Sequence, residues 1–347
     1  MKQRLKVAVP FLLGTCLLTG CRKDLCYNHD EHSPSVKVHA IATWELEWER
    51  TYYPTVKLMD MYGWQDMWQD AFRYTYDDLR PQPATGIRAI AYGTDDYYSE
   101  ANLPSEGGRL PLREGLHEVL LYNNDTEYIV FDSLKASVSA VATTRSVTRS
   151  SLAELHSGER TMNQPDQLYG YYLEECLGER TLEKVELPIT LRPLTYTYLI
   201  RYEFSKGLEY VALARGALAG MAEKVYLNDG HTDGSAATLL FDCDLTDFGA
   251  DVRMQSFGVP NYPGDHYTRA DGTPAYYTLN LEVRLTNGKM LSYDFDVTDQ
   301  VNVQPRGGVI TVSGIEVSDE DGTEGGGGFD VSVDGWGEYE DIELPLN

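Results

Sequence analysis

Near the amino-terminal end of the chain, apolar and polar residues alternate. Val36, Val38, Ala40, Ala42, Trp44, Leu46 and Trp48 share one face, while Lys37, His39, Thr43, Glu45 and Glu47 share the other. A period of two over this length predicts a half-buried strand, because successive side chains of an extended chain point to opposite sides. A second strand is predicted over residues 86–92, closed by Gly93-Thr94-Asp95-Asp96. Residues 110–112 and 118–131 supply more, bent at Asn123-Asn124-Asp125, which favours a turn. Between the first two strands, residues 50–83 are rich in Tyr, Trp and Met. Met61, Trp64, Met67, Trp68 and Ala71 fit a helical face, but Pro54 and Gly63 interrupt it, so a long excursion with one or two helical turns is expected.

The second half is more regular. Residues 185–191 and 195–204 read as strands parted by Pro193. Leu279, Leu281, Val283 and Leu285 face one way, and Leu291, Tyr293, Phe295 and Val297 return on the same face after Thr286-Asn287-Gly288-Lys289. An Asn-Gly between two alternating runs predicts a hairpin in which both residues take positive φ. Residues 309–317 form another strand. An acidic, glycine-rich loop then leads to a last one over 329–333. Strands at this spacing, with hardly a helix, predict an all-β chain of antiparallel sandwiches. Between residues 133 and 160 the composition shifts to Ser, Thr and Ala, with Arg145, Arg149 and Arg160 interspersed. The expected division is a sandwich over 36–142, an interdomain segment over 143–180 and a second sandwich over 181–347.

Ahead of the first strand the pattern changes completely. Lys2, Arg4 and Lys6 precede an apolar run over residues 7–18, broken only by Pro10, Gly14 and Thr15. That is the charged start and short apolar core of a secretory signal, too short to span a bilayer. It ends in Leu18-Thr19-Gly20-Cys21. These four residues resemble a bacterial lipobox, where cleavage before the cysteine follows acylation of its sulfur. The expectation is a signal over 1–20, a lipid on Cys21 and a polar tether over 21–35. Several acyl chains on one residue hold a membrane far better than a single one.

Composition narrows the partners. The formal charge is −25, and losing the three cations of the leader takes it to −28. A chain this acidic repels nucleic acid, and no nucleic-acid partner is expected. Cys21, Cys26, Cys176 and Cys243 survive cleavage, so with Cys21 acylated at most one disulfide can form, and Cys176 with Cys243 is one pairing open to it.

Candidate chemistry is sparse. No nucleophile elbow, zinc-protease, phosphate-loop or dinucleotide signature is present. Cys26, His29 and His32 read as tether, because a structural metal wants four ligands in a fixed fold. Asp319-Glu320-Asp321-Gly322 lacks the spacing and terminal Glu of a calcium loop and reads as an acidic turn. No catalytic residue, cofactor or metal is expected. Of the aromatic cluster Trp44, Trp48, Tyr52, Tyr53, Trp64 and Trp68, the first two lie on the apolar strand face and are expected in the core. Trp64 and Trp68 remain candidates for stacking on sugar rings.

Several stretches, taken in order, resemble a known family. They are Cys21-Arg22-Lys23-Asp24-Leu25-Cys26-Tyr27, Tyr122-Asn123-Asn124-Asp125-Thr126-Glu127 and Gly216-Ala217-Leu218-Ala219-Gly220-Met221-Ala222. Ser256-Phe257-Gly258, the run from Tyr293 to Gln300 and the run from Gly326 to Trp336 complete the set. Together they resemble the fimbrillin-like lipoproteins of Bacteroidales, DUF5119-like chains related to fimbrial anchor subunits of the FimB and Mfa2 type. The Ala-rich segment at 216–222 departs mildly from that pattern. The resemblance implies two transthyretin-like β-sandwiches in tandem and a lipid-anchored place at the outer membrane, on the cell surface. It also implies a role as fimbrial anchor or accessory subunit in adhesion. The partner would be a pilin or another fimbrial subunit, met by β-strand addition. Related pilins are cleaved after an arginine in the amino-terminal domain. No such site is marked here, which favours an anchor over a stalk subunit. The alternative reading is a surface glycan-binding lipoprotein.

Overall fold

The computed structural model describes residues 34–47, 64, 69–72, 74–149, 152–264, 273–323 and 340–342. The lipobox, Cys26, His29, His32, Trp48, Tyr52, Tyr53 and Trp68 lie outside them, as does the strand expected over 329–333. Among the described residues the chain is nearly all strand, arranged as two β-sandwich units in tandem.

The first unit is a seven-stranded sheet. Its path runs from Tyr97–Pro104 through Gly86–Gly93, Gly115–Asn123, Tyr169–Gly178 and Val185–Pro193 to Val38–Trp44 and Gly107–Arg109. The two end strands are joined in sequence by Ser105 and Glu106 alone, so the sheet rolls almost into a barrel. The alternation read from the sequence fills it: Val36, Val38 and Ala40 pack inside with Ile87, Ala89, Val119, Leu121 and Tyr169. Ile90, Tyr92, Leu120 and Tyr122, on the other face of the same strands, are buried too. Burial on both faces is why these two strands read as continuous apolar runs.

What covers that second face is a three-stranded sheet of Ile129–Asp132, Val141–Thr144 and Lys224–Tyr226, with Leu168, Leu194 and Phe257. The two units are therefore joined through a hydrophobic cluster. The second unit is a ten-stranded sheet folded into two layers. Met290–Asp296, Thr278–Leu285, Val211–Ala222, Ala236–Leu245 and Arg160–Asn163 run along one layer. Gly249–Ser256, Tyr196–Lys206 and Gly308–Glu316 form the other, with Tyr198, Ile200, Tyr202 and Ile310 packing against Leu218, Leu239, Leu279 and Leu281.

Several expectations change in detail. Val185–Pro193, read as part of the second sandwich, lies in the first sheet, parallel to Val38–Trp44. Residues 143–180 hold strands of both units, since Arg160–Asn163 pairs with Ala236–Leu245 and Tyr169–Gly178 with Gly115–Asn123. The chain thus passes between the units more than once. Its passage after Pro193 is short and pinned: Leu194 donates to the Leu168 carbonyl at 2.7 Å, and Thr195 Oγ1 accepts from the Leu168 amide at 2.9 Å. Three strand pairings in the large sheets run parallel, where antiparallel ones were expected throughout.

The predicted hairpin forms, with Leu279 opposite Phe295 and Val283 opposite Leu291. Its turn is not the expected one: Gly288 alone takes positive φ, at 86°, and Leu285 both accepts from Gly288 and donates to the Lys289 carbonyl. This is a three-residue loop closing on a glycine bulge. Cys176 and Cys243 are free thiols, held in different cores, so no disulfide joins them. Burial pushes both thiols up in pKa.

Candidate functional site

A chain of paired strands offers partners its sheet edges, and the two layers of the second unit treat theirs differently. Among the described residues Gly308–Glu316 pairs only with Tyr196–Lys206, so its other side is an edge. That edge is occupied. A short helix, Thr298–Asn302, follows the hairpin and places Gln300 and then Gln304 beside the strand. Gln304 Oε1 accepts from the Val309 amide at 2.7 Å, and its Nε2 donates to the Val309 carbonyl at 2.8 Å. Two residues on, Gln300 does the same for Thr311, at 2.9 and 3.0 Å. Residues i and i+2 of a strand turn their backbone groups to the same side, so two side-chain amides stand where a neighbouring strand would bond.

Among the described residues the Met290–Asp296 strand ends the other layer and pairs with Thr278–Leu285 alone. Leu291, Tyr293 and Phe295 are half-buried against the core, and Ser292, Asp294 and Asp296 occupy the other face. The narrow pair at Leu285 and Lys289 fixes the phase of the ladder, so residues 291, 293 and 295 bond inward. The backbone groups of Met290, Ser292 and Asp294 consequently face outward. An unpaired row of this kind is a template for strand addition.

The long excursion packs where no sequence signal placed it. Two single helical turns, Gln69–Phe72 and Tyr76–Leu79, bring Phe72, Tyr76 and Leu79 onto Leu199 and Val309, on the outer face of the second unit. The second turn starts on a capping box between Thr75 and Asp78. Arg201 donates to the Ala71 carbonyl, and Arg253 to that of Asp78 at 2.7 Å. Trp64 belongs to this cluster: it is fully buried, tilted on Phe72 at 5.8 Å, with Nε1 donating to the Tyr74 carbonyl at 2.8 Å. A ring enclosed on all sides cannot stack on a sugar, so Trp64 is a core residue. Trp44 packs edge-on against Tyr169 at 4.9 Å, in the core as expected.

Residues 146–149 and 152–163 bring buried charge to the second unit. Arg149 and Arg215 both meet the Glu282 carboxylate, at 3.5 and 2.8 Å, with side chains almost fully buried. His156 bridges Glu159 at 2.8 Å and Thr278 at 2.9 Å. Arg149 is thus enclosed, although composition alone marks its surroundings as a linker. In the acidic turn, Asp319 pairs with Lys206 at 2.9 Å and Asp321 with Lys289 at 2.6 Å. Their carboxylates hold lysines.

Residues 75–242 match the family model described as a domain of unknown function, DUF5119. A candidate fimbrium anchoring subunit of Bacteroides ovatus, Fim4B, is 24% identical over 297 residues, covering 78% of this chain and 88% of that protein. Among solved structures, a candidate adhesin from Bacteroides ovatus superposes with a TM-score of 0.55 at 21% identity, covering 87% of this chain and 98% of that one. The fimbrial anchor protein Mfa2 from Porphyromonas gingivalis gives 0.41 at 10% identity, covering 80% and 90%. The family model and the anchoring-subunit relative bear out the resemblance drawn from the sequence, and the first superposition shows the shared fold.

Proposed function

We propose that this chain, similar over most of its length to a fimbrium anchoring subunit, is an outer-membrane lipoprotein acting as a fimbrial anchor or accessory subunit. That likeness is the observation that carries the reading. The leader and its terminal cysteine support the membrane attachment: Cys21 takes the lipid, residues 21–35 form the tether, and the sandwiches stand at the cell surface. No helix among the described residues is long and apolar enough to cross a membrane. The partner is a pilin or another fimbrial subunit, gripped by β-strand addition along Met290–Asp296. Backbone bonds supply affinity and alternate side chains supply register. The role is that of a scaffold with no turnover of substrate.

Two experiments test this. Cys21→Ala should move the protein from the membrane fraction to the soluble envelope or the medium, and retention with continued uptake of labelled fatty acid would overturn the anchor. Mature protein used as bait should capture a fimbrial subunit from the same cells. Hydrogen exchange on the complex should show new protection at Met290–Asp296. Capture without protection at any strand edge would remove strand addition from the account.

A further inference from the structure

The first unit has one end that meets its neighbour and one that does not. Gly115–Asn123 and Tyr169–Gly178 lie antiparallel, with Tyr122 opposite Gly170 and Gly115 opposite Gly178. Their 122–123 and 169–170 end abuts the second unit, because Leu168 is bonded to Leu194 and Thr195 on the passage between the units. The 115–116 and 177–178 end lies roughly 20–25 Å away, since a strand rises about 3.3 Å per residue.

This far end carries exposed apolar side chains. Leu116 and Leu177 stand directly opposite each other. Their neighbours His117 and Cys176 are buried, so by alternation both leucines turn to the outer face, where they are 50% and 56% exposed. Leu182, on the segment that follows, is 62% exposed. Single exposed leucines are ordinary, but a cross-strand pair with a third close by in sequence forms a patch, and patches mark contact surfaces.

The place of the patch selects its partner. The described chain begins beside it: Ser35 pairs with Thr181 and Val36 with Arg180, and Lys37 Nζ donates to the Leu182 carbonyl at 3.0 Å. Residues 21–33 lead to this point from the cysteine that takes the lipid, and fully extended they span at most about 45 Å. So short a tether keeps the patch at high effective concentration beside the bilayer, where even a weak contact is populated. Charge does not supply the attraction. Arg180 meets Glu114 at 3.0 Å and Lys184 meets Glu186 at 3.1 Å, while Glu179 and Glu183 add negative charge. The leucines supply it.

We propose that the end of the first unit bearing Leu116, Leu177 and Leu182 rests on the lipid surface, with its leucines in the headgroup and acyl boundary and the second unit standing away from the membrane. This rests on the lipid-anchor reading and adds to it a direct contact and an orientation.

The test is fluorescence of the acylated mature chain in phosphatidylcholine vesicles, with and without lipid brominated on its acyl chains. Leu177→Trp and Leu182→Trp each add one indole to the five of the parent. An indole at the boundary meets the bromines, so the emission added by either variant should fall about twofold. Ser292→Trp, on an exposed face of the second unit, should keep its emission. Leu116→Trp gives the same readout if either variant melts below the parent. Flotation with the vesicles separates the two readings. A chain that does not float lacks its lipid and takes the proposal down with the anchor. A floating chain with no quenching at 116, 177 or 182 overturns the proposal alone. Quenching only when phosphatidylglycerol is included would make the contact one of charge, and quenching of Ser292→Trp would lay both units on the surface; either result overturns it. So does dimerisation of the Cys21→Ala chain that Leu177→Asp abolishes, which would give the patch to a second copy.

Discussion

Gln304 holds Val309 through its whole side-chain amide, accepting from the Val309 amide at 2.7 Å and donating to the Val309 carbonyl at 2.8 Å. With Gln300 on Thr311, this closes one edge of the second unit without a strand. Replacing both glutamines by alanine should expose that edge. Each backbone group left without its partner costs about 1–3 kcal/mol. We expect the double variant to unfold at lower urea and to self-associate in light scattering. Unchanged stability and a monomeric profile would show that the amides merely fill space.

Arg149 is held by charge as well as by packing. Glu282→Ala removes the carboxylate shared by two buried guanidiniums, and breaking a buried pair from one side costs about 3–5 kcal/mol. Arg149→Met should cost less, since Arg215 stays on Glu282. Urea titration of the two variants orders them, and the reverse order would contradict the shared-carboxylate account.

Two glycines separate backbone strain from crowding. Gly288 has φ of 86° and open space where a Cβ would go, so Gly288→Ala should cost only the left-handed strain, about 1–2 kcal/mol. Gly207 has φ of 80°, and a Cβ there would fall 2.2 Å from the Val317 carbonyl oxygen. Gly207→Ala should lower the melting temperature clearly more than Gly288→Ala does.

These contrasts mark what the sequence carries. The hairpin was legible because its two runs are adjacent and alternate in phase, so local pattern and tertiary face agree. Val185–Pro193 was legible as a strand but not as a neighbour of Val38–Trp44, because pairing over such a separation leaves no periodic trace. The 143–180 region misleads by composition: Thr143, Thr144 and Thr161 donate to backbone carbonyls inside the fold, Thr144 Oγ1 to that of Asn163 at 2.7 Å. The glutamine-capped edge was illegible too, since Gln300 and Gln304 look like ordinary polar residues until the strand beside them is known. Trp64 shows the opposite failure, an aromatic in an irregular stretch that serves the core of the distant unit.

Acid should loosen the first unit through Asp125. Burial pushes its carboxyl up in pKa, but the Thr85 amide at 2.7 Å, the Asn123 side chain at 2.8 Å and the Thr85 hydroxyl at 3.0 Å outweigh it and hold the group below its ordinary value. A depressed folded pKa gives stability that is present above the unfolded value and lost as pH falls through the folded one. Asp125→Asn should therefore be less stable than the parent at pH 7. The gap should close as pH drops below about 4, the ordinary carboxylate range. Denaturation at a series of pH values reads this directly, and a gap constant with pH would dissociate the stability of this turn from ionisation.

The open edge allows strand addition to be separated from folding. Ser292 lies on Met290–Asp296, between Leu291 and Tyr293, whose backbones bond to the neighbouring strand. Its own amide faces outward, where an added strand would bond. Proline removes that donor without touching the ladder within the sheet, and proline is tolerated on edge strands for this reason. Ser292→Pro should leave the circular dichroism spectrum intact and shift the melting temperature by a few degrees at most, while abolishing capture of the fimbrial subunit. Tyr293→Pro is the matched control: it breaks an inward bond and takes away a ring whose hydroxyl donates to the Glu316 carbonyl at 2.9 Å, so it should damage the fold itself. If Ser292→Pro folds and still captures its partner with the same protection pattern, the partner does not add along this edge.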